Sequence, residues 1–344
     1  VMRGLLVVNP KATATTDRTR DVLIHALADQ FSLETVRTDH RGHAMELGRR
    51  ATQEKLDVVV VLGGDGTVNE TVNGMLADFD GVGNAADDLP KFGAIPGGSA
   101  NVFTRALGFP PEPVEATGEL VDALRNDRTR VIGLGRCDYV PAPAPNDDGE
   151  DSDDPDIATE SAYAAEPIRR WITFNAGLGL DAEIIHNMER LRAKGKDASP
   201  TRYLTTTLRT FFADTDRKHP RLTMEVPGTG EVPGVFLAII QNASPWTYLG
   251  NMAVNPLPET DWDNGLGLWA VRRFGVLDGL RYSRRILMKS SAGSTKNGLF
   301  VGKDLASFAA TANPPVELQI DGEGLGSVQS AKFASFPSML RVYI

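Results

Sequence analysis

The 344-residue sequence has a single cysteine, Cys137. One thiol excludes a disulfide framework and any zinc site built on cysteines, and it suits a reducing cytosol. No run of about 18 apolar residues occurs, the length a helix needs to span a bilayer, so no spanning helix is expected. The opening residues Val1-Met-Arg-Gly-Leu-Leu-Val-Val8 run straight into a strand. They lack the separate charged and apolar regions of a secretory signal. Together these absences predict a cytoplasmic protein. Histidine is scarce as well, and His25, His40, His43, His186 and His219 show no metal-ligand pairing and no Ser-His-Asp arrangement.

Bases are missing altogether between Val140 and Ile168, a stretch with nine acids: Asp147, Asp148, Glu150, Asp151, Asp153, Asp154, Asp156, Glu160 and Glu166. Setting these aside from the 45 acids leaves 36 against 36 bases, so the net charge of −9 belongs to one insertion. Pro141-Ala-Pro-Ala-Pro145 followed by this acid run predicts a solvated, disordered loop over 140–168. Its spacing does not match an EF-hand. A charge-balanced body without a recognition motif predicts no nucleic-acid partner.

What is present is a βα rhythm over residues 1–130. Leu5–Val8, Leu33–Thr38, Val58–Leu62 and Phe92–Ile95 read as strands. Asp17–Phe31, Gly42–Thr52, Thr67–Leu76, Ala100–Leu107 and Pro113–Arg125 read as helices. Val58-Val-Val-Val-Leu62 is a continuous β-branched run, as in a parallel strand covered on both faces. The pattern predicts an open parallel sheet with helices on both sides. From 131 to 344 strand-like runs dominate: Val131–Asp138, Trp171–Asn175, Leu222–Val226, Val235–Gln241, Leu266–Val271, Val316–Ile320 and Leu340–Ile344. Helices are expected near Arg202–Phe212 and Leu277–Lys289. A second, β-rich and antiparallel domain is therefore expected to follow the first.

The glycine turn Gly63-Gly-Asp-Gly-Thr67 ends one strand and opens a helix, but it has no lysine and does not match a P-loop or a G-x-G-x-x-G turn. Backbone N–H groups at such a strand end are placed to bind phosphate, and glycine allows close approach. Asp65 stands where phosphate would lie, which makes chemical sense with Mg²⁺ between them. A second turn, Pro96-Gly-Gly-Ser-Ala-Asn101, ends the next strand. Either turn alone also fits an ordinary βα connection; two on neighbouring strands point to a nucleotide cleft.

With its continuation Val68-Asn-Glu70 and Val72-Asn-Gly74, the first turn resembles the diacylglycerol kinase catalytic-domain family, which includes bacterial diacylglycerol kinases, sphingosine kinases and ceramide kinases. Asn9-Pro10, Pro96–Asn101, Asn175-Ala-Gly-Leu-Gly-Leu-Asp-Ala182 and Asp321-Gly-Glu323 match further family motifs in order. The resemblance implies a nucleotide domain of the phosphofructokinase and NAD-kinase type over 1–130, followed by a β-sandwich lipid-substrate domain over 131–344. It implies transfer of the ATP γ-phosphate to a lipid hydroxyl, most simply that of diacylglycerol, with sphingoid bases or ceramide as alternatives. Asn9, Thr38, Gly63, Gly64, Asp65, Gly66, Thr67, Gly97, Ser99 and Asn101 would hold ATP. Asp321 would act as general base, and Asp65 and Glu323 would hold Mg²⁺. Taken alone, Asp321-Gly322 reads as a hairpin turn.

Four departures from the family pattern stand out. Lys11-Ala-Thr-Ala-Thr15 replaces a small Ser/Gly-rich segment, and Val102 follows Asn101 where the family has Asp. Asp263-Asn264-Gly265 replaces Asp-Asp-Gly, leaving Asp263 as the candidate structural metal ligand. A C-terminal return to the first domain, common in bacterial members, is not expected so soon after Asp321–Glu323. Arg272, Arg273, Arg281, Arg284, Arg285 and Lys289 surround the candidate amphipathic helix Leu277–Lys289. That helix suits either a peripheral position on the inner face of an anionic membrane or packing on the sandwich with snorkelling arginines. Self-association as a homodimer is compatible with the sequence. A small-molecule kinase of the NAD-kinase type and a non-catalytic lipid-binding protein are the rival readings.

Overall fold

The computed structural model describes residues 2–12, 16–28, 31–143, 166–179, 219–273, 275, 278, 281–282 and 298–344. The acidic run from Asp147 to Glu160 and the expected helix Arg202–Phe212 lie outside these residues, as does most of Leu277–Lys289. Strands β1 (Gly4–Val8), β2 (Leu33–Arg37), β3 (Val58–Gly63) and β4 (Lys91–Pro96) pair in parallel in the order β4-β3-β1-β2. Both faces of β1 and β3 are buried, which is why their sequences are apolar without alternation. Leu5, Val7, Val59 and Val61 pack with helices α2 (His43–Gln53) and α3 (Asp65–Met75). Leu6, Val8, Val58 and Val60 pack on the other face with α1 (Asp17–Ala28) and α5 (Pro113–Arg125).

Helices α2 and α3 meet through two glycines. A Cβ on Gly48 would lie 2.2 Å from the Thr71 carbonyl oxygen, and one on Gly74 would lie 1.9 Å from that of Met45. This contact fixes α3 against the sheet and so fixes the residues at its N-terminus.

The rest of the described chain is antiparallel: β5 (Thr129–Pro141), β6 (Ile168–Ile172), β7 (Asn175–Leu178), β8 (Leu222–Val226), β9 (Gly230–Val235), β10 (Leu237–Gln241), β11 (Thr247–Leu249), β12 (Met252–Val254), β13 (Leu266–Val271), β14 (Leu299–Leu305), β15 (Ser307–Ile320) and β16 (Glu323–Tyr343). The expected strand Trp171–Asn175 is broken between β6 and β7, and β9, β11, β12 and β14 were not anticipated. Strand β15 pairs with β16 along one edge; its other edge pairs with β8 over 309–312 and with β7 over 318–320. The sheet therefore branches. Its branches close in sandwich fashion over one core that includes Cys137, Leu178, Met224, Ile240, Leu268, Leu318 and Phe333.

Contrary to expectation, the chain does return to the first half. Strand β16 pairs with β5 and then runs parallel to β4 at Val342–Phe92. Met339, Leu340 and Val342 join the α2–α3 side of the core, and Tyr343 joins the α1–α5 side. One 14-stranded sheet thus runs through both halves.

Because the Gly74 position faces backbone, which has no rotamer to yield, overpacking there should cost about 2–3 kcal/mol. Gly74→Ala is expected to lower the denaturant midpoint accordingly. Gly118→Ala, at a helical position with open space around the added methyl, is expected to be neutral or stabilising by up to about 1 kcal/mol. Equal midpoints for the two variants would refute the close crossing.

Candidate active site

The C-terminal ends of β1 to β4 form one wall of a cleft of about 620 Å³. This wall carries Asn9–Ala12, Thr38–Arg41, Gly64–Thr67 and Gly98–Ala100. The opposite wall comes from the β6–β7 link (Phe174, Asn175), from Trp246 and Thr247, and from the β15–β16 turn (Gln319, Asp321–Glu323).

The two glycine turns pack backbone against backbone. Gly97 N–H donates to the Gly63 carbonyl at 2.8 Å. A Cβ on Gly98 would lie 2.8 Å from the Gly64 Cα, and one on Gly97 would lie 2.9 Å from the Gly63 Cα. Side chains are therefore excluded by the neighbouring turn, before any ligand is considered. Helix α3 starts at Asp65, not Thr67, so Asp65 and Gly66 form its first turn. The added methyl at Gly66 would meet nothing, which leaves its face of the helix N-terminus open.

Asp65 joins the turns a second time. Its Oδ2 accepts from Val102 N–H at 3.0 Å and its Oδ1 from Phe103 N–H at 3.1 Å. It thereby caps the five-residue helix α4 (Val102–Ala106). Asn101, expected in the nucleotide pocket, does not line the cleft; it is buried in the left-handed conformation (φ 49°). Its amide bonds to the Gly98 N–H and carbonyl, both at 2.7 Å, so it shapes the turn. Gly63 and Gly97 also lie behind the lining. Asn9 Nδ2 donates to Thr67 Oγ1 at 3.0 Å, and its Oδ1 accepts from Lys11 N–H at 2.9 Å. Thr38 and Ser99 both line the cleft.

Asp321 and Gly322 have φ of 49° and 85° and link paired Ile320 and Glu323. The two-residue hairpin reading therefore holds, and the turn also delivers a functional-type side chain. The Asp321 side chain is buried, with 2% of the residue exposed. Its Oδ2 accepts from Asn69 Nδ2 (2.6 Å), Thr173 N–H (2.8 Å) and Thr173 Oγ1 (2.7 Å); its Oδ1 accepts from Phe174 N–H (3.0 Å) and Asn175 N–H (2.9 Å). Burial pushes this carboxyl above the usual carboxylate range, against the donors that favour its anion.

Two asparagines of α3 belong to the matched motif, and sequence alone assigns them no role. Asn69 and Asn73 lie four residues apart on one helical face. Asn73 Oδ1 accepts from Trp171 N–H at 2.8 Å, and both side-chain amides donate to the Trp171 carbonyl. They fasten α3 to β6. Their burial requirement was visible only as two polar letters in an apolar helix face.

Glu323 is held by Arg170 at 3.1 Å and by Arg41, whose guanidinium it raises above its ordinary pKa. A carboxylate neutralised by two arginines does not fit a metal ligand. Asp263 does not fit either: it lies outside the cleft, where Arg130 bridges it (2.7 Å) and Asp261 (2.6 Å). An ion pair occupies the place expected for a structural metal. Asp65 does fit Mg²⁺ held chiefly by nucleotide phosphates, since it is a carboxylate that lines the cleft beside the open helix N-terminus.

Another expectation is overturned at the rim of the cleft. His40 and His43 stack at 4.9 Å, and with Asp39 they bring three ligand-type atoms within 4.8 Å of one another. The Asp-His-x-x-His spacing at a strand–helix junction was the available signal. A bond to the Arg41 carbonyl, assisted by Asp39, raises the His40 imidazole above its usual pKa.

Residues 3–137 match the family model for the diacylglycerol kinase catalytic domain. Over those residues the chain is similar to the diacylglycerol kinase catalytic domain. A diacylglycerol kinase of Staphylococcus haemolyticus is 33% identical over 116 residues, 34% of this chain and 32% of its own length. One from Bacillus subtilis is 33% identical over 106 residues, 31% of each chain. The matches thus span about a third of these relatives. The crystal structure of a diacylglycerol kinase from Bacillus anthracis aligns over 99% of this chain and 97% of its own, with a TM-score of 0.66 at 20% identity. That likeness extends the fold, with its strand-rich second half, beyond the family match.

An amide at position 321 has one acceptor oxygen, so at least two of the five donors would face its NH₂ group. Asp321→Asn is expected to destabilise the fold by about 3 kcal/mol or more, because buried donors to a charged acceptor are left unmatched. Glu323→Gln likewise leaves one oxygen for two arginines, but at a partly exposed position where water can serve the unmatched donor, and should cost about 1 kcal/mol. Denaturant titration of the two variants side by side checks the order; a reversed order would remove Asp321 as a brace between the halves.

Proposed function

We propose that the protein is a lipid kinase that transfers the γ-phosphate of ATP to a lipid hydroxyl, with diacylglycerol as the acceptor and phosphatidic acid as the product. One observation carries the reading. The cleft sets backbone N–H groups of a helix start and two glycine turns on one wall, and a buried carboxylate beside the apolar faces of Phe174 and Trp246 on the other. The first wall suits phosphates; the second suits an alcohol attached to an apolar body.

In this reading the N–H groups of Gly64 to Thr67 and of Gly98 to Ser99 bind the phosphates, and Lys11 and Arg41 add positive charge along the same wall. Asn9 and Thr67 brace each other there. Magnesium bound with ATP supplies further charge neutralisation, with Asp65 as the protein's contribution. The acceptor oxygen forms a bond to the γ-phosphorus, the bond to the ADP oxygen breaks, and the hydroxyl proton passes to Asp321. The hydroxyl gains the carboxylate by replacing one of its side-chain donors, Asn69 Nδ2 or Thr173 Oγ1. A carboxyl made more basic by burial is the better acceptor for that proton. The lipid comes from a membrane surface. Among the described residues no helix is long and apolar enough to cross a bilayer. Of the basic residues that suggest surface contact, Arg272 bonds to the Pro233 carbonyl, and Arg273 and Arg281 flank Asp278.

The test is transfer of ³²P from labelled ATP to dispersed diacylglycerol, sphingosine or ceramide, with NAD⁺ as a water-soluble acceptor in a parallel reaction. Label is expected in the organic phase with diacylglycerol, in proportion to ADP formed. Label on NAD⁺ alone, or ATP left intact with every lipid, would overturn the reading; preference for a sphingoid base would move the acceptor while keeping the chemistry.

A further inference from the structure

We propose that Asp39, His40 and His43 form a binding site for a divalent transition-metal ion of the zinc type at the rim of the cleft. Asp39 and His40 lie in the short link from β2 to α2 and His43 opens α2, so the backbone brings their side chains together without long-range closure. Asp39 Oδ1 lies 2.7 Å from His43 Nδ1 and 3.3 Å from His40 Nε2. The 3.3 Å separation is close to that between neighbouring ligands on one ion with bonds of about 2.0–2.2 Å, and the 2.7 Å contact lengthens when an ion enters between its atoms.

The hydrogen-bond pattern supports a cation at this point. His40 Nδ1 lies 3.0 Å from the Arg41 carbonyl, a bond that places the ring proton on Nδ1. That leaves Nε2 with a lone pair facing the Asp39 carboxylate, and two facing lone pairs repel unless a cation lies between them. A backbone carbonyl that fixes the tautomer of a ligating histidine is the usual outer partner at metal sites. His43 Nδ1 is in a similar position, 3.2 Å from Asp39 N–H and 2.7 Å from Oδ1. Either a proton on the imidazoles or a metal ion resolves both contacts. A metal ion accounts for the convergence of all three ligand atoms within 4.8 Å of one another.

Ligand type sets the metal class. Two imidazoles and one carboxylate favour zinc, nickel or copper over magnesium, and three protein ligands leave coordination positions open. Glu46 Oε2, 4.0 Å from His40 Nε2, is the nearest further donor. Asp39 and His40 line the cleft, so an ion held there adds positive charge beside the wall of glycine turns. The site stands independently of the kinase reading, because its residues have no part in the phosphoryl-transfer step.

The experiment is calorimetric titration of the untagged full chain with zinc chloride near neutral pH, with magnesium present in millimolar excess. One ion per chain is expected, undisturbed by magnesium. His40→Ala and His43→Ala should each weaken binding by about tenfold or more, while His25→Ala should change nothing. His40 is half-exposed, so His40→Ala should leave the melting curve in chelator unchanged and report binding alone. The proposal fails if the wild-type chain gives no saturable heat, since the cluster is then a protonated His–Asp pair only. It fails equally if the double variant binds zinc as the wild type does.

Discussion

The structure depends above all on the environment of one buried carboxylate. Asp321 collects donors from the middle of α3 and from three successive residues, Thr173 and Phe174 of the β6–β7 link and Asn175 at the start of β7. A buried charge is tolerable only when hydrogen-bonded, and a half-satisfied one is worse than none. The arrangement is therefore all or nothing: the hairpin turn, the break between β6 and β7 and the position of α3 must be right together. Once they are, Glu323 follows two residues later and meets Arg170 of β6 and Arg41 from the first half. The two walls of the cleft are in this way held at a set distance by one short turn.

The opposite wall uses a different constraint, the absence of side chains. Gly63, Gly64, Gly97 and Gly98 let two strand ends touch, and Asp65 reaches across to cap α4. A lysine-free glycine loop is understandable on this basis. Its carboxylate holds a second loop in place, and the second loop presents further N–H groups to the same space.

The parallel half was legible because its signals are local. Apolar runs in β1 and β3 and the amphipathic spacing of α2 and α5 depend only on neighbours in sequence. The second half was legible only in outline. Three-residue strands such as β11 and β12 are too short to carry a periodic signal, and the bends that let β15 serve three partners depend on contacts far away in the chain. Leu340–Ile344 read as a strand, yet nothing local told that its partner is Phe92 on β4. At the site, Asp65 and Asp321 were identifiable by type and motif, but their hydrogen-bond partners were not. Asp263 and Glu323 were assigned to metal because acids alone are visible in sequence; the arginines that neutralise them come from residues 41, 130 and 170. Asp39, His40 and His43 offer in sequence only a short Asp-His-x-x-His spacing, and their convergence depends on the turn between β2 and α2.

The path of β16 has a consequence for how the molecule is made. Met339, Leu340, Val342 and Tyr343 lie in the cores on both faces of the parallel sheet, whose four strands β1 to β4 precede the antiparallel half in the chain. A domain that folds as it leaves the ribosome usually completes its own core before the next one appears. Here the α/β half must wait for a segment translated after the entire antiparallel half. During that interval Phe92 on β4 lacks its β16 partner, and β4 presents an open edge of the kind that invites pairing with other chains. The nucleotide half and the acceptor half therefore mature as one event, and a chain stalled before residue 339 would leave the ribosome with an unsealed sheet.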